Sequence, residues 1–141
     1  MIRLASAIWK DGMKENTGVL STESGSLKGA AFAANPSLEG RPIANPEELL
    51  AAAIASSFSL ALSGELDKAC LIAESIRVVA GLTLEQFGDG WTVTQVHLDV
   101  TVKIPGADKA KFETAAHNAE TGCPISRLLN TKITMDAKLV S

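Results

Sequence analysis

The sequence predicts a single α+β domain, and three features of its 141 residues support this class. Residues 76–84 and 96–104 alternate apolar and polar side chains, as strands with one buried face do. Residues 45–62 carry a helix start signal followed by an uncharged, apolar body. With the shorter strand patterns included, we expect one antiparallel sheet of about six strands and a buried central helix.

The composition is that of an ordinary globular protein and excludes several partners. Hydrophobic residues make up 46% and charged residues 21% of the chain, and the length fits one domain over residues 1–141. The formal net charge of −3 argues against nucleic acid, because proteins that bind it carry basic patches. No uninterrupted apolar run reaches the roughly 18 residues of a membrane span, so we expect no membrane association.

The N-terminus, the cysteines and the histidines indicate compartment and cofactors. The chain does not begin with the basic and apolar regions of a signal peptide, and two cysteines are too few for a disulfide framework. Both observations predict a cytoplasmic protein. We expect Cys70 to be buried among apolar groups, and His97 and His117 to face solvent. Two scattered histidines do not form a metal site, so neither a metal nor a cofactor is expected.

Three short strands with tight turns are predicted before the helix, in the order of a β-meander. The strands are residues 3–10, 17–22 and 27–33, and the turns are Asp11-Gly12 and Ser24-Gly25-Ser26. A loop follows over residues 35–44.

The clearest helix start in the sequence is Asn45-Pro46. Asn45 can cap the helix by accepting a hydrogen bond from a free backbone N–H, and Pro46 suits the first helical position, where an N–H has no partner. Glu47 and Glu48 follow in the first turn, where the helix dipole favours negative charge. Gly64 is the predicted end of the helix.

The body of this helix, residues 49–62, contains no charged side chain, and its polar members are only Ser56, Ser57 and Ser59. A helix that is apolar all round is buried on most sides. Because so small a domain offers little to surround it, we expect an intimate homodimer with the central helices near the interface.

The remaining segments complete the predicted fold. Gly88-Asp89-Gly90 joins the two alternating strands as a hairpin. Residues 108–121 are predicted to form an amphipathic helix that Gly122 ends, and a short helix follows from Cys123-Pro124 to Leu129. The apolar side of the longer helix consists of Phe112, Ala115, Ala116 and Ala119, and residues 133–139 alternate as a last strand.

Four segments resemble the OsmC/Ohr family of thiol peroxidases. They are residues 21–25 (STESG), 45–50 (NPEELL), 51–62, and 122–129 (GCPISRLL). Together with the order of elements, the resemblance covers nearly the whole chain. It implies an intertwined α+β homodimer that reduces organic hydroperoxides by means of two cysteines.

The resemblance also assigns roles to residues. The family's peroxidatic cysteine lies ten positions after the first glutamate of the Asn-Pro-Glu motif, and this chain has Ser57 there. The resolving cysteine is kept as Cys123 and the pocket glutamate as Glu47. Since Glu47 and Ser57 lie about 15 Å apart along one helix, the implied site would bring Glu47 to Ser57 of the other chain.

Two further positions depart from the family pattern. An arginine of the OsmC branch corresponds to Ser37, with Arg41 nearby as a candidate replacement, and a histidine of some members corresponds to Ile54. The pocket implied by the resemblance has therefore lost more than one polar or cationic group.

Serine cannot perform the peroxidatic step. A peroxidatic cysteine attacks as a thiolate and becomes a sulfenic acid, whereas a serine hydroxyl ionises far above physiological pH and is not oxidised in this way. We expect Ser57 to be a small packing residue rather than a nucleophile, and the hydroperoxide reduction to be lost or weak. Cys123 is either a structural thiol or a working thiol at a helix start.

Two other functions remain open from the sequence. The chain could be a non-catalytic dimer that binds a small apolar ligand in the remnant pocket. It could also perform unrelated chemistry, because a fold does not fix a function.

Overall fold

The computed structural model of this chain describes residues 1–9, 17–33 and 43–141. These residues form two compact units, Met1–Leu50 and Ala51–Ser141. The α+β class is confirmed by the succession of strands and helices. The single domain over residues 1–141 stays a prediction. The predicted turn at Asp11-Gly12, Ser37 and Arg41 lie outside the described residues.

A three-stranded antiparallel sheet occupies the first unit. Its strands are β1 (Ala5–Trp9), β2 (Thr17–Thr22) and β3 (Ala30–Ala33), in that order. The meander is confirmed, but β3 begins later than predicted. Before it, the Thr22 hydroxyl accepts a hydrogen bond from the Leu27 N–H at 3.2 Å, and the Ser21 hydroxyl accepts one from Gly29 at 2.9 Å. These side chains compete with the sheet for backbone donors and delay the strand.

The first sheet contains one close approach that only glycine permits. A Cβ atom on Gly18 would lie 2.6 Å from the Phe32 ring and 2.9 Å from the Ile8 carbonyl oxygen. The same Phe32 ring packs against Trp9, with the ring centroids 5.8 Å apart. A side chain at position 18 would therefore displace an aromatic contact.

Helix α1 covers Pro46–Lys68 and begins where the sequence predicts. The Asn45 Oδ1 atom accepts a hydrogen bond from the Glu48 N–H at 2.7 Å, which confirms the N-cap. The predicted end at Gly64 is wrong, because the helix continues through it. Glycine inside a helix costs only about 1 kcal/mol, and the buried Leu66 in the following turn offsets this.

The helix ends instead at Lys68, and Cys70, two residues later, is a left-handed residue with φ of 57°. The Cys70 N–H donates to the Asp67 carbonyl at 3.0 Å and the Leu71 N–H donates to the Leu66 carbonyl at 2.9 Å, the paired bonds of a Schellman motif. Cys70 is exposed, so the expectation of a buried thiol is wrong. The reason is that the chain reverses out of the helix at this residue.

Only one stripe of α1 is buried. It consists of Ile54, Phe58, Leu62 and Leu66. In the most apolar 18-residue stretch of α1 the mean hydropathy is 1.6, yet only 22% of it is buried. Burial on most sides is therefore not achieved within one chain, which covers a single face of the helix.

Because α1 continues past Gly64, it is long enough to be compared with a membrane-spanning helix. By length and composition alone, this helix could cross a membrane, contrary to the expectation from uninterrupted apolar runs. The central helices of soluble proteins meet the same criterion, so the criterion does not separate the two cases.

The second unit contains most of α1, a three-stranded sheet and two further helices. Strands β4 (Ser75–Phe87) and β5 (Gly90–Lys103) form the predicted hairpin, in which Phe87 pairs with Gly90. Gly88 has φ of 58°, a conformation that favours glycine in a two-residue hairpin turn. The helices are α2 (Lys109–Gly122) and α3 (Pro124–Leu128), and the last strand is β6 (Lys132–Val140).

Strand β6 pairs with β5 in parallel, from Gln95 opposite Lys132 to Lys103 opposite Val140. The six predicted strands are present, but in this chain they form two three-stranded sheets, and the second sheet is not wholly antiparallel. The cause is the connection between β5 and β6. It contains α2 and α3 and is long enough for the crossover that parallel strands need.

The buried side chains of the second unit come from all of its layers. Alternate residues of β5 are buried, and the predicted apolar side of α2 is confirmed. The buried set comprises Val96, Leu98, Val100 and Val102 from β5, and Phe112, Ala115, Ala116 and Ala119 from α2, besides the stripe on α1. Cys123, between α2 and α3, is also fully buried.

Candidate functional site

The structure brings two of the predicted site residues into contact. The Ser57 Oγ atom and the Cys123 Sγ atom are 3.1 Å apart and share a hydrogen bond in which either group can donate. Ser57 is half-buried on α1, and Cys123 lies at the junction of α2 and α3. The contact joins residues 66 positions apart, so it depends on the packing of the second unit.

The Ser57 hydroxyl differs in direction from its neighbours on the helix. Ser56 and Ser59 each donate to a carbonyl oxygen one turn earlier, Ser56 to Ala52 and Ser59 to Ala55, both at 2.8 Å. Such bonds are the usual arrangement for a serine inside a helix. Ser57 bonds instead to the sulfur of Cys123, which gives this serine a tertiary role.

The backbone holds Cys123 in place from both sides. Its N–H donates to the Ala119 carbonyl at 3.0 Å, at the end of α2, and its carbonyl accepts from the Arg127 N–H at 3.0 Å, in α3. Pro124 occupies the first position of α3 and fixes the direction of the chain there. The Gly-Cys-Pro sequence thus ends one helix and begins the next, with the thiol pointing into the protein.

The surroundings lower the pKa of the Cys123 thiol. Burial raises this pKa, and hydrogen bonds from the Ser57 hydroxyl and from the backbone N–H groups of Ser126 and Ile125 lower it by more in total. The Ser126 hydroxyl acts in the same direction. The negative charge of a thiolate would therefore be stabilised by donors from both α1 and the start of α3.

Ser126 carries a polar atom without a hydrogen bond. The residue is 8% exposed, and its Oγ atom is buried and has no partner within hydrogen-bond geometry. Its effect on the pKa of Cys123 is therefore that of a nearby dipole rather than of a formed bond. A buried hydroxyl without a partner is uncommon in folded proteins, so the position calls for an explanation.

A cavity of about 440 Å³ opens beside Ser57. The residues that flank Cys123 in sequence, Gly122 and Pro124, are part of its wall, together with Leu60 and Ala61 of α1. Its far end reaches Glu65, Lys68 and Asn118, which also line a second cavity of about 490 Å³. Ser57 is thus the contact between the open cavity and the buried sulfur.

Polar groups at the far end of the cavity are paired. The Lys68 ammonium is 2.6 Å from the Glu65 carboxylate, which also accepts a hydrogen bond from Asn118 at 3.4 Å. The hydrogen bond from Lys68 is the main cause of a lowered pKa at Glu65, against a smaller opposing effect of burial. These groups give the cavity a polar end and leave its Ser57 end mainly apolar.

The other predicted site residues either lie away from Ser57 and Cys123 or are not among the described residues. Glu47 is half-buried in the first turn of α1, ten residues before Ser57, and its pocket role stays a prediction. Ile54 is fully buried one turn before Ser57, so it belongs to the packed stripe of the helix. Ser37 and Arg41 are not among the described residues.

Sequence reasoning missed two groups of residues. Ser126 lies three positions after Cys123 at the start of a helix, a spacing that could have indicated that it faces the thiol. His97 and Asp99 share one face of β5, and Asp136 pairs with Asp99 across the parallel strands.

These three residues offer ligand atoms that all lie within 4.8 Å of one another. The His97 Nδ1 atom is 2.6 Å from the Thr134 hydroxyl, and its Nε2 atom is 3.3 Å from Asp136. Both carboxylates are exposed, and exposed acidic groups of this kind are common without an ion. The sequence did not predict this cluster, because Asp136 is far from His97 and Asp99 along the chain and approaches them only through the pairing of β6 with β5.

Comparison with known proteins gives consistent results over most of the chain. Residues 39–138 match the family described as OsmC-like protein. The chain is 38% identical over 135 residues to the Peroxiredoxin OsmC of Escherichia coli strain K12, covering 96% of this chain and 94% of that protein.

Solved structures share the fold at lower identity. An OsmC-like protein of unknown function from Vibrio cholerae superimposes with a TM-score of 0.80 at 22% identity, and 99% of each chain is covered. The organic hydroperoxide resistance protein OhrB of Bacillus subtilis gives a TM-score of 0.73 at 19% identity, with 98% of each chain covered.

Proposed function

Since this chain belongs to the OsmC-like family, we propose that it acts in the response to oxidative stress and that its two-thiol reduction of organic hydroperoxides is lost or weak. The observation that carries the proposal is the contact of Ser57 with Cys123 at 3.1 Å. The resemblance puts the peroxidatic sulfur at position 57, and position 57 lies beside the resolving thiol. The geometry of the pair is kept while one of its two sulfur atoms is replaced by oxygen.

The chemical consequence follows from the reaction cycle. A peroxidatic thiolate takes an oxygen atom from the peroxide, and the second thiol then expels water to close a disulfide. A hydroxyl group at position 57 neither accepts the oxygen atom nor forms a disulfide. The cycle therefore stops before its first step, although the second thiol is in place.

A Ser57→Cys variant tests the proposal directly. We expect wild-type protein to consume cumene hydroperoxide slowly or not at all with dithiothreitol, and Ser57→Cys to consume it much faster. After peroxide treatment without dithiothreitol, a disulfide between positions 57 and 123 should appear by mass spectrometry. Equal rates in wild type and Ser57→Cys would overturn the proposal.

Two matched controls distinguish the effect of a cysteine at position 57 from the effect of adding any thiol to the protein. Ser56→Cys places a cysteine on the exposed neighbouring site, whose hydroxyl bonds to its own helix and not to Cys123. Ser57→Cys combined with Cys123→Ser keeps the new thiol but removes the resolving one. The first control should stay at the wild-type rate. The second should form no intramolecular disulfide and should turn over more slowly than Ser57→Cys, because dithiothreitol alone must then reduce its sulfenic acid.

Pairing of two chains through α1 is a further part of the proposal. This helix leaves most of its apolar surface open, and Leu60 is 76% exposed at its middle. Large exposed apolar surfaces of this kind mark interfaces. A symmetric dimer would cover the helix and would bring Glu47 of the partner subunit within reach of Ser57.

Light scattering after size exclusion tests the dimer. Leu60→Glu places a charge on the open face and should convert a dimer of the wild type to a monomer, while Lys138→Glu, a charge change elsewhere on the surface, should not. A wild-type monomer that binds to lipid vesicles would instead show that the helix contacts membrane, and it would overturn both the dimer and the expected cytoplasmic location.

A second candidate function is favoured by the cavity beside Ser57. A space of about 440 Å³ lies within the usual size of small-molecule sites, and its Ser57 end is lined by Leu60, Ala61 and Pro124. A dimer without catalytic activity could hold a small apolar ligand there. A thermal-shift series with fatty acids would support this function if Ala61→Phe, which fills the cavity, abolished the shift.

A further inference from the structure

Cys123 is surrounded by more hydrogen-bond donors than a structural thiol needs. Ser57 contacts its sulfur at 3.1 Å, and the backbone N–H groups of Ile125 and Ser126 lower the pKa of the thiol. A neutral thiol is a weak acceptor and gains little from so many donors. A thiolate, which is negatively charged, gains much more.

The buried hydroxyl of Ser126 is a second observation. Its Oγ atom is buried and has no hydrogen-bond partner, although it acts on the same sulfur. A buried hydroxyl of this kind is satisfied when an acceptor comes within its reach. An oxygen atom carried by Cys123, or by a peroxide approaching it, is such an acceptor.

We propose that Cys123 is itself a catalytic thiol that reduces hydroperoxides in a one-cysteine cycle, with Ser57 and Ser126 as its hydroxyl donors and a small external monothiol as the resolving partner. The inference rests on the proposed function, because it concerns the weak activity that remains when position 57 carries no sulfur. It differs from the two-thiol cycle in the identity of the attacking atom and of the reductant.

The cavity supplies the route to the sulfur. Cys123 has no exposed surface, but its neighbours Gly122 and Pro124 line the cavity, and Ser57 lies between the cavity and the thiol. In the proposed cycle, the small Ser57 side chain rotates about χ1 to admit the peroxide to the sulfur. The apolar wall at this end of the cavity suits an organic hydroperoxide better than hydrogen peroxide.

The cycle is balanced in atoms and electrons. The Cys123 sulfur attacks the terminal oxygen of the hydroperoxide, the S–O bond forms as the O–O bond breaks, and the alkoxide leaves with the proton released by the thiol. The products are a sulfenic acid and an alcohol, and the sulfur has lost two electrons.

Two molecules of a low-molecular-weight monothiol complete the cycle. The first condenses with the sulfenic acid to give a mixed disulfide and water. The second exchanges with the mixed disulfide, which releases the oxidised small disulfide and restores the Cys123 thiol. The two electrons come from the external thiols, so no second protein cysteine is needed.

Trapping of the sulfenic acid tests the inference on the wild-type protein. The protein is treated with cumene hydroperoxide in the presence of dimedone, and the modified cysteine is located by peptide mass spectrometry. We expect dimedone on Cys123, unchanged trapping there in Cys70→Ser, and trapping about tenfold slower in Ser57→Ala, because one hydrogen bond to a charged acceptor is lost. Ser126→Ala should also slow trapping while leaving alkylation of the thiol before peroxide treatment less affected.

Three results would overturn the inference. They are an unmodified Cys123, modification at Cys70 alone, and a trapping rate at Cys123 that does not change in Ser57→Ala. None of these results contradicts the proposed function. That proposal fails only if Ser57→Cys with dithiothreitol is no more active than wild type. Steady consumption of hydroperoxide with a monothiol such as 2-mercaptoethanol, absent in Cys123→Ser, would complete the support.

Discussion

Replacement of Cys70 by glycine should stabilise the protein. Cys70 follows the end of α1 with φ of 57°, a conformation that costs a residue with a Cβ atom about 1–2 kcal/mol and costs glycine nothing. Glycine also increases the conformational entropy of the unfolded chain, which offsets about 0.4–1 kcal/mol of this stabilisation. The net expectation is a rise of about 1 kcal/mol in the free energy of unfolding. For a chain of this length, this corresponds to roughly 2–5 °C in Tm.

Urea unfolding followed by circular dichroism, under reducing conditions, measures this difference. The matched control is Cys70→Ala, which removes the thiol but keeps the Cβ atom in the same left-handed conformation. We expect no gain from Cys70→Ala. If Cys70→Gly lowers the stability, or if Cys70→Ala raises it by the same amount, the strain at this helix end is not the cause.

Three further predictions concern other parts of the structure. Gly18→Ala should lower the free energy of unfolding by about 1–3 kcal/mol in urea titrations, because the new Cβ atom would lie 2.6 Å from the Phe32 ring. Asp108→Ala should cost about 1 kcal/mol in the same assay and Asp108→Asn much less, since the Asp108 carboxylate accepts hydrogen bonds from the first turn of α2 at 2.8 and 3.2 Å. Because folding lowers the pKa of Cys123, the folded state releases its proton at a lower pH than the unfolded state. The contribution of Cys123 to the free energy of unfolding should therefore be fully present above the ordinary pKa of about 8.5. It should decrease as pH falls from there and be lost as pH drops through the lowered pKa. Cys123→Ser should flatten this part of a Tm-against-pH curve.

Local signals predicted most of the elements correctly. Asn45 forms the N-cap through the hydrogen bond that its side chain allows, and the alternating residues of β5 and the apolar side of α2 are buried as expected. Such features depend on neighbours in sequence, where the physical constraint is contained in a few residues. The end of α1 was mispredicted because Leu66, a buried residue beyond Gly64, outweighs the local preference of glycine.

The features that the sequence alone could not provide are those that join distant segments. The parallel pairing of β6 with β5 depends on the crossover through α2 and α3, and no residue in either strand specifies it. The contact of Ser57 with Cys123 was anticipated only through the family resemblance, since the spacing of the two residues has no periodic meaning. The exposure of Cys70 follows from the geometry of a helix end that was predicted elsewhere.

The long span between Ser57 and Cys123 has a consequence for folding. The β4–β5 hairpin closes over two residues and can form early, whereas β6 can dock on β5 only after the chain of α2 and α3 has been brought back. The Cys123 sulfur meets Ser57 only when the segment of α2 and α3 has packed against α1. On a newly made chain, the thiol is therefore solvent-accessible like any other cysteine, and it gains the hydrogen bond of Ser57 only when this long-range contact forms.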